Sequence, residues 1–207
     1  MTPGSPGDRG DDGVLVRPHG ERGVSVPGAG SLGLALFIVS LSVLFVGGLV
    51  AYVVVRGRAQ TWPPSGAPAL PLGMWVSTVL LLLSGVTIQR ALIGIRRGQD
   101  AVLRRNLSAT LVLSLLFVGS QSWNWLHYYN ADTTFQHHLY GFTFYMLTGL
   151  HAGHVLGGLA ALALVARRAF RGVYSWAYYP GVRYTAVYWH FLGGVWLVLF
   201  GLLVLDR

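Results

Sequence analysis

The sequence contains no cysteine and no lysine. Without cysteine there are no structural disulfides, no Cys-X-X-Cys redox chemistry and no thiolate metal site. Without lysine, all fifteen basic residues are arginine. Charge of either sign is scarce: 11% of residues are charged and 53% are hydrophobic, a balance that points to lipid rather than water as the solvent. Four of the seven acids, Asp8, Asp11, Asp12 and Glu21, precede the first apolar run, and Asp100, Asp132 and Asp206 fall outside the apolar cores. No carboxylate is therefore placed at mid-membrane to support a continuous proton relay, and no Ser-His-acid set assembles for a membrane hydrolase.

Five apolar stretches are long enough to cross about 30 Å of hydrocarbon at about 1.5 Å per helical residue. They run roughly over 31–55, 70–94, 107–127, 140–165 and 185–205. Barrel strands would be shorter and would alternate. The sequence thus predicts an all-α, polytopic bundle of five transmembrane helices over residues 30–207, preceded by a flexible tail over 1–29 rich in Gly, Pro and charge. The first run starts late, after acids, and is too long for a cleavable signal sequence. Pro63, Pro64, Pro68 and Pro71 preclude a regular helix between the first two runs, leaving Trp62 for the membrane interface.

Arginines sort by side. Arg90, Arg96, Arg97, Arg104 and Arg105 flank the second connection, and Arg167, Arg168, Arg171 and Arg183 the fourth. The opposite side has only Arg56, Arg58 and Arg207. The positive-inside rule places the N-terminus in the cytoplasm and the C-terminus outside. Arginines gathered beside apolar runs act as topology determinants, so a net charge of +8 does not imply nucleic acid as a partner. Arg167, Arg168 and Arg183 are in addition candidates to meet lipid phosphates at the inner interface.

Within the fourth run, TGLHAGHV carries two histidines three residues apart, His151 and His154, among glycines. Metal or haem ligation is the reactive reading of such a pair. No HExxH pattern or nearby acid accompanies it. His154 and His190 are the better haem pair, but counting from the arginine-rich ends puts them at depths of about 17 Å and 8 Å, a mismatch that is hard to absorb. Polar fastening between helices or a lipid headgroup contact is the favoured role for His151, His154 and His190. Gln121 and Asn124, three residues apart in the third run, share a helix side and belong to the same class, since an unpartnered amide in hydrocarbon is costly. His137 and His138 are expected to be exposed in a loop. Gly149, Gly153 and Gly157 recur at four-residue spacing and predict a close helix contact, with Gly193 and Gly194 as a second such point.

Taken in order, TWPPSGAPAL with TVLLLLSG, LFVGSQSWNW, FTFYMLTGLHAGHVLGG and VYWHFLGGVWLVLF resemble the cytochrome c oxidase subunit III family, in its short five-helix bacterial form also seen in quinol oxidases. The resemblance covers residues 30 to 205. It implies a noncatalytic accessory subunit of a terminal haem-copper oxidase in the bacterial inner membrane. Such a subunit packs on subunit I, with subunit II in the complex, holds phospholipid in a cleft, and supports assembly and sustained proton-coupled oxygen reduction. The resemblance also implies that the haems and copper sit in the partner subunits, with none bound by this chain. Three positions depart from the family pattern: Asn124 stands where a membrane-embedded glutamate is expected, Arg183 where another acid often lies, and Gly193 where an aspartate follows the Tyr-Trp-His-Phe segment. These departures give weight to the subunit III-like protein of bacterial nitric oxide reductase as the alternative. An independent haem-bearing electron carrier is the reading from a different class.

Overall fold

A computed structural model describes residues 29–59, 72–131 and 139–205. The tail, the proline-rich connection and His137 and His138 lie outside the described residues. Among the described residues five helices appear in order: α1 (Ala29–Arg58), α2 (Leu72–Arg96), α3 (Asp100–Ala131), α4 (Leu139–Phe170) and α5 (Pro180–Leu205). All five are long and apolar enough to cross a membrane.

The helices overrun the apolar runs, and the largest difference is at α3. The apolar run begins near Leu107, whereas the helix starts at Asp100 and carries Arg104 and Arg105 with it. Hydrocarbon thickness sets the length of an apolar run, while backbone hydrogen bonding sets the length of a helix, so a charged turn can continue α3 past the membrane edge. Asp100 in its first turn also matches the positive end of the helix dipole.

Two connections at the arginine-rich end are built alike. Gly98 takes φ +70° after α2 and Gly172 takes φ +71° after α4. At the first, Gln99 N–H donates to Gly94 C=O and Gly98 N–H to Ile95 C=O; at the second, Val173 N–H donates to Arg168 C=O and Gly172 N–H to Ala169 C=O. Each pair of bonds is a Schellman cap, whose left-handed residue disfavours any side chain. These caps make α2–α3 and α4–α5 antiparallel hairpins.

α2, α3, α4 and α5 close into a four-helix ring, each touching its two neighbours, and α1 leans on α4 and α5 from outside. At the capped end the core packs Ile88, Ile95, Leu107, Leu162, Val182 and Trp189. Farther along it packs Met74, Leu81, Phe117, Phe144, Val155 and Trp196. α1 contributes only a narrow stripe, Leu41, Phe45 and Tyr52. The outer faces of all five helices are apolar and exposed, as with Val43 on α1, Leu82 on α2, Leu115 on α3, Leu164 on α4 and Val198 on α5, which is how a bundle meets lipid tails.

Lipid tails are as apolar as leucine, so packing contacts and hydrogen bonds between helices supply much of the cohesion. Ser77 pairs with Ser120 at 2.8 Å and Thr87 with Thr110 at 2.8 Å, joining α2 to α3. Trp189 donates its indole N–H to Ser84 Oγ at 2.9 Å, and Trp196 to Thr78 Oγ1 at 3.0 Å, joining α5 to α2.

Candidate functional site

His151 and His154 occupy neighbouring but different environments. His151 is 1% exposed. Its ring lies 5.3 Å from Trp196 and 6.3 Å from Phe45, centroid to centroid, and neither ring nitrogen has a hydrogen-bond partner among the described residues. His154 is partly buried, with Nδ1 2.7 Å from Leu150 C=O of its own helix. Phe45 of α1 also lies 5.3 Å from the His154 ring, so one aromatic residue touches both imidazoles. Tyr188 of α5 donates to the His154 backbone carbonyl at 3.1 Å.

His190 is directed elsewhere. Its Nε2 lies 3.2 Å from Gln89 Oε1 of α2, in an exposed pair. His154 faces α1 and His190 faces α2, so the two are not brought together as opposing ligands. Among the described residues, no group of three or more His, Cys, Asp or Glu side chains gathers. The Gln89–His190 pair lies beside Arg90 and about two helical turns inward of Arg96 on α2 and of Arg183 on α5, within the apolar span. It borders a groove of about 490 Å³ lined by Leu81, Gly85, Arg90, Gly193, Gly194 and Leu197 among others. Nothing lies within 4 Å of where a side chain would start on Gly193 or Gly194; these two glycines keep the groove open rather than admit a helix of the same chain.

The glycine row of α4 likewise makes little contact within the chain. A Cβ on Gly153 or Gly157 would meet nothing within 4 Å, and one on Gly149 only the edge of Trp125 at 3.5 Å. The close approach within the chain falls one residue on, at Gly158, where a Cβ would lie 2.9 Å from Tyr188, 3.2 Å from Leu192 and 3.3 Å from Trp189 of α5. Positions 153 and 157 are exposed while 158 is buried, because a single residue turns the helix by about 100°. From Gly153 to Gly157 the row is an outward, small-residue face.

Gln121 and Asn124 do share a side of α3, and both are only partly satisfied. Gln121 Nε2 and Asn124 Nδ2 are buried without a partner among the described residues. Asn124 is 4% exposed, and its carboxamide covers Gly73 of α2 so closely that any side chain there would collide with it. Gln121 lines a cavity of about 140 Å³ between α3, α4 and α5, together with His151, Phe117, Trp125 and Trp196. Arg167, Arg168 and Arg183 are all exposed, at the capped end.

Gln89, Ser84 and Thr78 were missed from the sequence as partners of polar and aromatic groups. A usable signal was present: Trp189 and Trp196 are two turns apart on α5, and Ser84 and Thr78 have nearly the reverse spacing on α2, as an antiparallel pair requires.

The family model for cytochrome c oxidase subunit III matches residues 16–205. Among similar proteins, the cytochrome c oxidase subunit 3 of a Synechocystis strain is 33% identical over 189 residues, 90% of this chain and 79% of the relative. That of Thermostichus vulcanus is 31% identical over 179 residues, 85% of this chain and 87% of the relative. A probable cytochrome c oxidase subunit 3 of Mycobacterium leprae is 32% identical over 182 residues, 87% of this chain and 90% of the relative.

Proposed function

This chain belongs to the cytochrome c oxidase subunit III family, and from that membership we propose that it is the noncatalytic membrane subunit of a terminal haem-copper oxidase. It packs beside subunit I, with subunit II in the same complex, in the bacterial inner membrane. The haems and copper belong to those partners. This subunit supports assembly, lipid retention and sustained turnover rather than oxygen chemistry.

One observation carries the reading. Gln89 and His190 form a polar pair on the outer surface of the bundle, inside the apolar span, beside a groove kept open by Gly193 and Gly194. Polar side chains facing lipid at that depth are costly. A partner helix lying in the groove covers them and gains the close approach that glycine allows. The outward Gly149, Gly153 and Gly157 face of α4 is a second surface for a protein neighbour, and Arg167, Arg168 and Arg183 suit phospholipid phosphates at the capped end.

Affinity purification of the tagged chain from mild detergent tests this. The expected result is recovery of oxidase subunits I and II with a haem absorption spectrum, and a several-fold lower yield for Gln89→Leu with His190→Leu at unchanged helix content. Recovery with the catalytic subunit of a nitric oxide reductase overturns the oxidase assignment in favour of the second reading, which the replacement of the family glutamate by Asn124 supports. Haem bound to the chain alone overturns both.

A further inference from the structure

The cavity between α3, α4 and α5 combines three properties that the oxidase reading does not use. First, two polar side chains on its wall have buried nitrogens without a partner among the described residues: His151 on both ring nitrogens and Gln121 on Nε2. An unpaired buried donor is costly, and here two helices each place one beside the same space. Second, the remaining wall is largely aromatic and apolar, with Phe117, Trp125 and Trp196, and its two hydroxyls, Ser122 and Thr148, are already bonded to backbone carbonyls. Third, its volume of about 140 Å³ matches a single six-membered ring, since an apolar cavity of about 150 Å³ accepts benzene.

The rim fixes the direction of entry. Leu156 and Ser122 line the cavity and are exposed on the bundle surface; Ser122 Oγ is already bonded to Val118 C=O at 2.9 Å. A molecule dissolved in the bilayer reaches the cavity sideways between α3 and α4 and leaves any long tail among the lipids. The entrant has to be neutral, because no charged side chain lines the cavity. An acceptor suits it, because the Gln121 amide and one of the two nitrogens of a neutral imidazole each offer an N–H.

We propose that this cavity is a binding site for the carbonyl end of a neutral membrane amphiphile, its oxygen held by His151 and Gln121 and its body stacked among Phe117, Trp125 and Trp196. Two membrane components offer that chemistry: the ring of a quinone and the ester of a glycerolipid. Ring-sized volume and aromatic walls favour the quinone. No electron transfer is involved; the site holds the molecule. The inference is independent of which complex the chain joins.

The test uses the full chain in nanodiscs of diether phosphatidylcholine, which has no ester carbonyl, titrated with decylubiquinone. Expected is saturable retention of about one quinone per chain. His151→Phe and Gln121→Leu should each weaken it about tenfold, the scale of one lost hydrogen bond to a buried acceptor. Trp123→Phe, at an exposed position away from the cavity, should leave it unchanged and shows that the fold tolerates substitution in α3. Repeating the titration in diester lipid distinguishes the sources: an undiminished affinity assigns the site to the ring, and strong competition assigns it to the lipid ester. Retention that rises linearly without saturation, or that is equal in the wild-type chain and both variants, overturns the proposal.

Discussion

Trp189 of α5 and Ser84 of α2 meet through an indole N–H donated to a hydroxyl oxygen at 2.9 Å, both buried in the centre of the bundle. Ser84 in turn donates to Leu81 C=O at 2.6 Å, so the serine passes the bond on to backbone. Trp196 and Thr78 repeat the arrangement at 3.0 Å. Two tryptophans therefore register α5 against α2 at two depths.

This registration sets a first expectation. Ser84→Ala leaves the Trp189 N–H without an acceptor, and Trp189→Phe removes the donor. In a double-mutant cycle followed by denaturation of the detergent-solubilised chain, the coupling should be about 0.6–1.7 kcal/mol, the range of membrane hydrogen bonds. A coupling of zero would mean that the pair contributes no registration.

The glycines of α4 separate by direction. Gly158→Ala places a methyl group 2.9 Å from Tyr188, and overpacking of that kind costs about 1–3 kcal/mol. Gly153→Ala meets open space and gains helix propensity of about 1 kcal/mol. Thermal stability of the isolated chain should fall for the first and hold or rise for the second, whereas Gly153→Leu should lower the yield of the assembled complex. Loss of stability at Gly153 alone would place the contact where the sequence first suggested.

Gly73 and Asn124 form a lock of a different kind. Gly73→Ala should destabilise the chain, because its new methyl group and the Asn124 carboxamide need the same space. Truncating the amide as well, in Gly73→Ala with Asn124→Ala, should restore most of the lost stability. Additive losses in the double variant would show that the two residues do not share that space.

The absence of cysteine makes topology directly measurable. Single replacements at exposed Gln99 and Ser175, in the two capped turns, and at Ala59 beyond α1 introduce the only thiol in the chain. A membrane-impermeant maleimide added to intact spheroplasts should label Ala59→Cys and spare Gln99→Cys and Ser175→Cys until the membrane is opened. The reverse pattern would invert the orientation drawn from the arginines.

The number of helices was legible because each apolar run had to match a bilayer. The direction of the glycine row was not. Four-residue spacing states that Gly149, Gly153 and Gly157 share a face but not which way that face turns, and an outward face in lipid is as apolar as an inward one. Periodicity of hydrophobicity, which orients helices in water-soluble proteins, is uninformative when both sides of a helix are apolar. His190 could be recognised as polar within a span, but its partner Gln89 lies on another helix and required the fold.

The capped hairpins have a consequence for biogenesis. The α2–α3 pair closes through a three-residue connection and satisfies its own hydroxyls across the interface, Ser77 with Ser120 and Thr87 with Thr110. It can leave the insertion machinery as a unit with those four hydroxyls already paired. The α4–α5 hairpin depends on that unit, because its tryptophans need Thr78 and Ser84 as acceptors. α1, synthesised first, joins through a narrow stripe against α4 and α5 and so waits in the bilayer for partners made last. Arrested nascent chains ending after α3 should therefore hold a protease-resistant α2–α3 pair while α1 remains free to be cut away.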